Sequence, residues 1–331
     1  MPILLGALYQ SRTAIRAWIP QPNFSFFSLS PLAQIAPRKM STTIFHHPDT
    51  KTPVTLPAGL SQTQLLAFPP FNAWFKTLDH SLSTQQTSPQ HPFHTDPYTL
   101  QSITVQAFDL FGSQRLGFVK LTTSISNSAG EKLPGAVFLR GPSVAMLVVL
   151  VPDDVSAGSG SGGDYVVDDE RYVLLTVQPR VAAGSLAFVE LPAGMVDDGG
   201  NFAGQAAKEI EEELGIVIKE GELVNLSELA LEGEGEQKGD TDGSLPLPLP
   251  KAVYPSAGGC DEYIPIFLHE RRVPRAQLGE WTGKLTGLRD EGEKITLKLV
   301  KMKDLWKEGA RDAKALAAVA LWEGLRKEGK I

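Results

Sequence analysis

LPAGMVDDGGNFAGQAAKEIEEELGI, Leu191 to Ile216, sets four glutamates, Glu209 and Glu211 to Glu213, between a glycine-rich loop and a terminating glycine. Helical winding of Ala203 to Leu214 at about 100° per residue puts Glu209, Glu212 and Glu213 on one arc, spaced i, i+3 and i+4. Ala206, Ala207, Ile210 and Leu214 fall on another. The apolar arc suits docking on a sheet, and Gly215 supplies a left-handed stop at the helix end. On the acidic arc, like charges repel unless a positive group sits among them. Three carboxylates converging from one rigid helix suit a hard divalent cation, Mg²⁺ or Mn²⁺, of the kind that serves phosphate chemistry. A solvated acidic face is the alternative, and for a charge run taken alone it is the one to prefer.

The wider spacing favours the cation. Counted from Gly194, the segment resembles the Nudix box, G-x5-E-x7-R-E-U-x-E-E-x-G-U with U a bulky aliphatic residue. Gly194, Glu209, Ile210, Glu212, Glu213, Gly215 and Ile216 all match. Gly200 stands where the pattern has its first glutamate, and Lys208 where it has arginine. In the family that missing pair mainly braces the loops around the helix, whereas the later glutamates hold metal. The departures therefore bear on loop rigidity more than on metal binding, and Asp197 or Asp198 is the candidate replacement for the absent carboxylate.

A chain of 331 residues points to about two domains. Its 42% hydrophobic content is ordinary for a globular protein. The net charge of −7, without a strongly basic body, excludes nucleic acid as a bulk polyanionic partner and leaves a small phosphorylated ligand open. Cys260 is the only cysteine, which excludes an intramolecular disulfide and a cysteine-based zinc cluster.

Before Asp49 the chain has no acidic residue but carries Arg12, Arg16, Arg38 and Lys39. That composition resembles a transit peptide. Mitochondrial targeting is the expectation, with a plastid address or a cytoplasmic product started at Met40 as alternatives. Leu4 to Ile19 is too short and too polar for a membrane span, and no membrane partner is expected. Residues 1–97 read as presequence and low-complexity linker, with Leu65 to Leu78 a short docking helix. His46, His47, His80, His91 and His94 fit no common metal spacing. From Tyr98 the runs SITVQAFDLFG, LGFVKLTTSIS and GAVFLRG alternate as an antiparallel meander, giving a β domain over 98–140. The body is expected over 141–328. Ser143 to Val151 reads as a strand buried on both faces, flexible inserts fall near 152–169 and 232–250, and DAKALAAVALWEGLRKEG closes the chain as a helix.

VFLRGPSVAMLVVL, VLLTVQPRV, ELPAGM, YPSAGGCDE and TGLRDEGE occur in an order that resembles the ADP-sugar diphosphatases of the Nudix superfamily, especially the plant ADP-glucose and ADP-ribose branch. This likeness runs from about Asp109 to Leu325. It implies an α/β fold, a Nudix α/β/α sandwich with a small N-terminal antiparallel β domain, commonly as a homodimer whose β domains exchange contacts. It also implies metal-dependent hydrolysis of a nucleotide-sugar, ADP-ribose or ADP-glucose, to AMP and a sugar phosphate. By position in the motif, Glu209 and Glu213 are the first metal ligands. Glu212 stands beside them as ligand and catalytic group, and the Ala193 carbonyl is a further ligand. Glu262 matches a general base for the attacking water; its structural alternative is a charge at a loop end. Arg180 matches an arginine on the diphosphate, where a bidentate guanidinium suits paired phosphate oxygens; surface ion pairing is its alternative. Arg140 is a candidate nucleotide contact across the dimer. Glu190 faces either the metal site or the terminal ribose, or forms a strand-end salt bridge, and Glu293 is a more distant candidate. Two other functions stay open: hydrolysis of another nucleoside diphosphate derivative, and nucleotide binding without turnover.

Overall fold

The computed structural model describes residues 42–331, apart from residues 113, 156–157, 161–162, 166–169, 197–200, 233–248 and 288–293. The leader, Asp197, Asp198, Gly200 and Glu293 lie outside the described residues.

The first sheet begins well before Tyr98. Thr43–His46 (β1) and Pro53–Leu56 (β2) pair antiparallel inside the stretch expected to be linker. Helix α1, Gln62–Leu66, starts at a reciprocal cap: the Ser61 hydroxyl accepts the Gln64 N–H at 3.2 Å, and the Gln64 side chain accepts the Ser61 N–H at 3.0 Å. Helix α2, Pro69–Thr87, carries prolines in its first turn, where the missing N–H has no intrahelical role. Phe71 and Phe75, one turn apart, bury it in the core of this sheet. The helix is longer than the expected 65–78 patch because its remaining Ser, Thr, Gln and His residues are mostly an outer face, and by composition they read as linker. Thr99–Phe111 (β3), Arg115–Ser126 (β4) and Ala136–Leu139 (β5) make the expected meander, and the sheet order is β1-β2-β3-β4-β5. One junction departs from the antiparallel expectation. β2 and β3 run parallel, Val54 opposite Ile103, because the chain between them crosses over through both helices.

Ser143–Pro152 (β6) is buried at every residue. Ala145, Leu147, Val149 and Val151 enter one core, and Val144, Met146, Val148 and Leu150 the other, the two-residue period of a strand covered on both faces. Gly158–Gly160 (β7) and Gly163–Tyr165 (β8) form a separate ribbon in the first expected insert. Then follow Tyr172–Arg180 (β9), Ser185–Glu190 (β10), Ala193–Met195 (β11), Phe202–Leu214 (α3), Val224–Asn225 (β12) and Leu226–Ala230 (α4). Ile266–Val273 (β13), Arg275–Trp281 (α5), Leu285–Thr286 (β14), Ile295–Lys301 (β15), Leu305–Glu308 (α6) and Ala313–Lys327 (α7) complete the chain. The second sheet has the order β12-β13-β6-β9-β15-β14, with β10 on β9 and β11 on β6. Helix α3 packs Ala206, Ile210 and Leu214 into one core, while α7 packs Ala315, Ala318, Trp322 and Leu325 into the other. The result is the expected helix–sheet–helix sandwich. Each fully buried leucine in it contributes roughly 1.5–3 kcal/mol.

One irregularity in this sheet positions everything described below. β6 and β9 pair only at Val149↔Val173 and Leu150↔Tyr172. Elsewhere β6 pairs with β11, Ala193 opposite Ala145 and Gly194 opposite Val144, while β9 pairs with β10. Leu191 and Pro192 carry the chain across the split. The two sheets also touch: the Phe138 N–H donates to the Gly259 carbonyl at 2.8 Å, and Asp261 N–H to the Phe138 carbonyl at 3.2 Å. Among the described residues no helix is long and apolar enough to cross a membrane.

Candidate functional site

Helix α3 is punctuated at both ends. The Asn201 side chain accepts the Gly204 N–H at 3.0 Å, and Gly215 closes the helix at φ 69°, as its spacing predicts. Of the expected apolar arc, Ala206, Ile210 and Leu214 are buried and Ala207 is half-buried; Glu211 is exposed. The acidic arc divides. Glu213 is only 4% exposed and accepts the Ala193 N–H at 3.2 Å. Glu209 takes a hydrogen bond from Gln205 Nε2 at 2.7 Å, and its carboxylate lies against Gly194, where any Cβ would overlap it. Two carboxylates one turn apart therefore reach the same short strand, and glycine is required there to admit one of them. Glu212 faces Lys208 instead, at 3.5 Å and i,i+4 spacing.

The donor chemistry of Glu209 and Glu213 beside Ala193 and Gly194 fits a hard divalent cation. Among the described residues no three His, Cys, Asp or Glu groups come together as a metal site, and Glu212 lies beside Lys208. The fit is thus to two carboxylates.

Arg180, Glu190, Lys314 and Asp312 form a chain of charges in which Glu190 and Asp312 are buried. Arg180, at the end of β9, donates from Nε to Glu190 Oε1 at 2.6 Å, and Lys314 Nζ donates to Glu190 Oε2 at 2.9 Å. Lys314 Nζ also meets Asp312 Oδ1 at 2.9 Å, and Asp312 Oδ2 accepts the Leu191 N–H at 2.9 Å. Burial lowers the pKa of the Arg180 guanidinium, but the hydrogen bond and charge of Glu190, with Glu213 and Asp312 behind it, raise it above its ordinary value. Burial likewise lowers Lys314, and Asp312 and Glu190 outweigh it. Both remain cations at neutral pH. The Arg180 side chain is 41% exposed, and among the described residues its hydrogen bond is made through Nε.

Glu262 sits elsewhere, on the loop that joins the two sheets. Its Oε1 accepts Arg140 Nη1 at 2.8 Å and the Ser143 hydroxyl at 2.8 Å, and Arg140 Nη2 donates to Ser143 Oγ at 3.1 Å. Ser143 lies opposite Met195, which ties this triad to the far end of β11. Next to it, Asp261 accepts the Arg140 and Gly141 N–H groups, and burial raises its pKa in spite of them.

Two cavities flank this loop. One of about 360 Å³ is lined by Phe68, Arg115, Arg140, Met195 and Phe202 among others. The other, about 600 Å³, is lined by Trp74, Tyr254, Cys260 and Tyr263. Their size is that of small-ligand pockets. Neither is lined by Glu209, Glu213 or Arg180.

The sequence reading missed Ser143, Asp261, Asp312 and Lys314. Asp312 was readable as the cap of α7, where its side chain accepts the Lys314 N–H at 3.1 Å. Its reach to Leu191 crosses 121 residues and leaves no local signal.

The NUDIX domain family matches residues 164–319, a span that holds the acidic helix, Arg180, Glu190, Glu262 and Lys314 and begins after Arg140. Nudix hydrolase 14, chloroplastic, of Arabidopsis thaliana is 37% identical over 235 residues, covering 70% of this chain. The chain spans 65% of the length of that relative. A crystal structure of an ADP compounds hydrolase is 17% identical with a TM-score of 0.40, covering 70% of this chain and 99% of that one, a likeness too weak to bear on fold or substrate.

Proposed function

We propose, from the match of the NUDIX domain family to residues 164–319, that the protein hydrolyses the diphosphate bond of an ADP-sugar, ADP-ribose or ADP-glucose, to AMP and a sugar phosphate. The observation that carries this reading is the convergence of Glu209 and Glu213 on Ala193–Gly194. Glu209, Glu213 and the Ala193 carbonyl would hold Mg²⁺ or Mn²⁺, with Glu212 joining once it leaves Lys208. When bound, the cation neutralises diphosphate charge and lowers the pKa of a water. The terminal nitrogens of Arg180 take diphosphate oxygens as a fork, and Glu190 holds the guanidinium from behind. Glu262, held by Arg140 and the Ser143 hydroxyl, takes the proton of the attacking water.

The amino-terminal sheet serves a homodimer in this reading. Of the three addresses considered for the leader, the chloroplastic relative favours the plastid, and nothing found supports the mitochondrial expectation. Nucleotide binding without turnover is the second reading, favoured by Gly200 standing where the motif has its first glutamate.

The test is Mg²⁺-dependent AMP release from ADP-ribose and ADP-glucose by the wild type and Glu213→Gln. The expected loss in the variant is about 100-fold or more, the scale of removing one electrostatic contact to developing charge. Equal turnover by both proteins rejects the assigned metal role. Tight ADP binding with no turnover of either substrate selects the second reading.

A further inference from the structure

We propose that Lys314, seated on Asp312 at the start of α7, is a positioning residue that aims the Arg180 fork through Glu190. The inference rests on the proposed role of Arg180 at the diphosphate, and it adds a residue that touches no substrate.

The geometry points this way for three reasons. First, the Glu190 carboxylate is held at both oxygens by different cations, Arg180 Nε on Oε1 and Lys314 Nζ on Oε2. A single cation would neutralise Glu190; two, one per oxygen, also fix the plane of the carboxylate. Second, Arg180 is engaged through Nε, the inner nitrogen. Among the described residues Glu190 is its hydrogen-bond partner, and the side chain as a whole is 41% exposed. A guanidinium gripped by Nε presents its two terminal nitrogens as a pair, the arrangement that matches two phosphate oxygens. Third, Lys314 is itself held: its Nζ meets Asp312 Oδ1 at 2.9 Å, and the other Asp312 oxygen accepts the Leu191 N–H, so the anchor is the backbone crossing that carries Ala193. Lys314 also comes from α7, a different layer of the sandwich from α3, so it can be changed without touching the acidic helix.

The experiment is a calorimetric titration of ADP, which needs no turnover, into the full chain as wild type, Lys314→Met and Lys314→Arg, with thermal unfolding of each. Lys314→Met is expected to weaken ADP binding about tenfold, because Glu190 is then free to rotate and carry Arg180 with it. Lys314→Arg, which returns a cation to Oε2, is expected to recover most of that loss. Should Lys314→Met fail to fold, the near-isosteric Glu190→Gln carries the same expected loss. Lys314→Met that folds and binds ADP like the wild type overturns the inference. So does a loss that Lys314→Arg shares in full. Failure of the proposed function reads differently: a wild type that binds ADP and releases no AMP from any ADP-sugar loses the hydrolase reading, while the order of ADP affinities among the variants still decides the role of Lys314.

Discussion

Arg180 and Arg140 each pair with a glutamate at one end of the same split in the second sheet, and they do so in opposite orientations. Arg180 meets Glu190 through Nε at 2.6 Å, and among the described residues its terminal nitrogens make no hydrogen bond. Arg140 meets Glu262 and Ser143 through its two terminal nitrogens, while its Nε is buried without a hydrogen-bond partner among the described residues. One guanidinium is presented outward and the other is spent on the protein itself. Residue type alone assigns both to the substrate; which nitrogen is engaged separates them. A guanidinium already bound as a fork serves a ligand only by breaking its internal contacts.

The contrast predicts that stability and binding respond to the two arginines in reverse order. The largest effect falls on stability. Arg140→Ala leaves Glu262, whose side chain is 14% exposed, without its cation and with the Ser143 hydroxyl as its remaining donor, and is expected to lower the unfolding free energy in urea by about 3 kcal/mol. In the same measurement Arg180→Ala is expected to lose less than about 1 kcal/mol, since that side chain is 41% exposed and Glu190 keeps Lys314. Equal losses would collapse the distinction.

Next in size is the effect on ligand. Arg180→Ala is expected to weaken ADP about tenfold, and Arg140→Ala, assayed below its melting point, by less than about threefold. If Arg140→Ala weakens ADP more, the inner pair opens on binding and the outward pair is ornamental.

The smallest effect tests whether an orphaned buried nitrogen matters at all, using a residue away from both arginines. His269 is buried; its Nδ1 lies 3.3 Å from the Glu222 carbonyl, and its Nε2 has no partner among the described residues. Burial depresses its pKa below 6.5, more than the Glu222 carbonyl raises it. Below pH 6.5 the unfolded chain gains a proton that the folded chain does not, so stability is complete above 6.5 and declines as pH falls through the folded value. The melting temperature of the wild type is expected to drop between pH 7 and 5 more steeply than that of His269→Phe. Parallel profiles would show that His269 contributes no pH dependence.

The legible parts of this molecule were those governed by neighbours in sequence. The buried arc of α3, its glycine stop and the alternation of β6 between two cores all follow from periodicity. So does α7. What escaped was long-range or masked by composition. Helix α2 is polar outside its Phe71–Phe75 stripe and reads as linker, and β1 and β2, four residues each, are too short to show a period. The parallel β2–β3 junction is invisible until the two helices between the strands are recognised. At the site, Glu212 was grouped with Glu209 and Glu213 by angle, yet Lys208 at i−4 was the nearer partner. The two arginines looked alike because their glutamates lie far away along the chain or across a hairpin, and orientation is set by those partners.

The crossing at Leu191–Pro192 acts as a ruler. It is two residues long, and it delivers β11 so that its one position without a side chain, Gly194, lies under Glu209. Losing or gaining one residue in the crossing would slide Met195 or Ala193 into that position, and either side chain would evict the carboxylate. Length changes are therefore expected to be ruinous in this two-residue link.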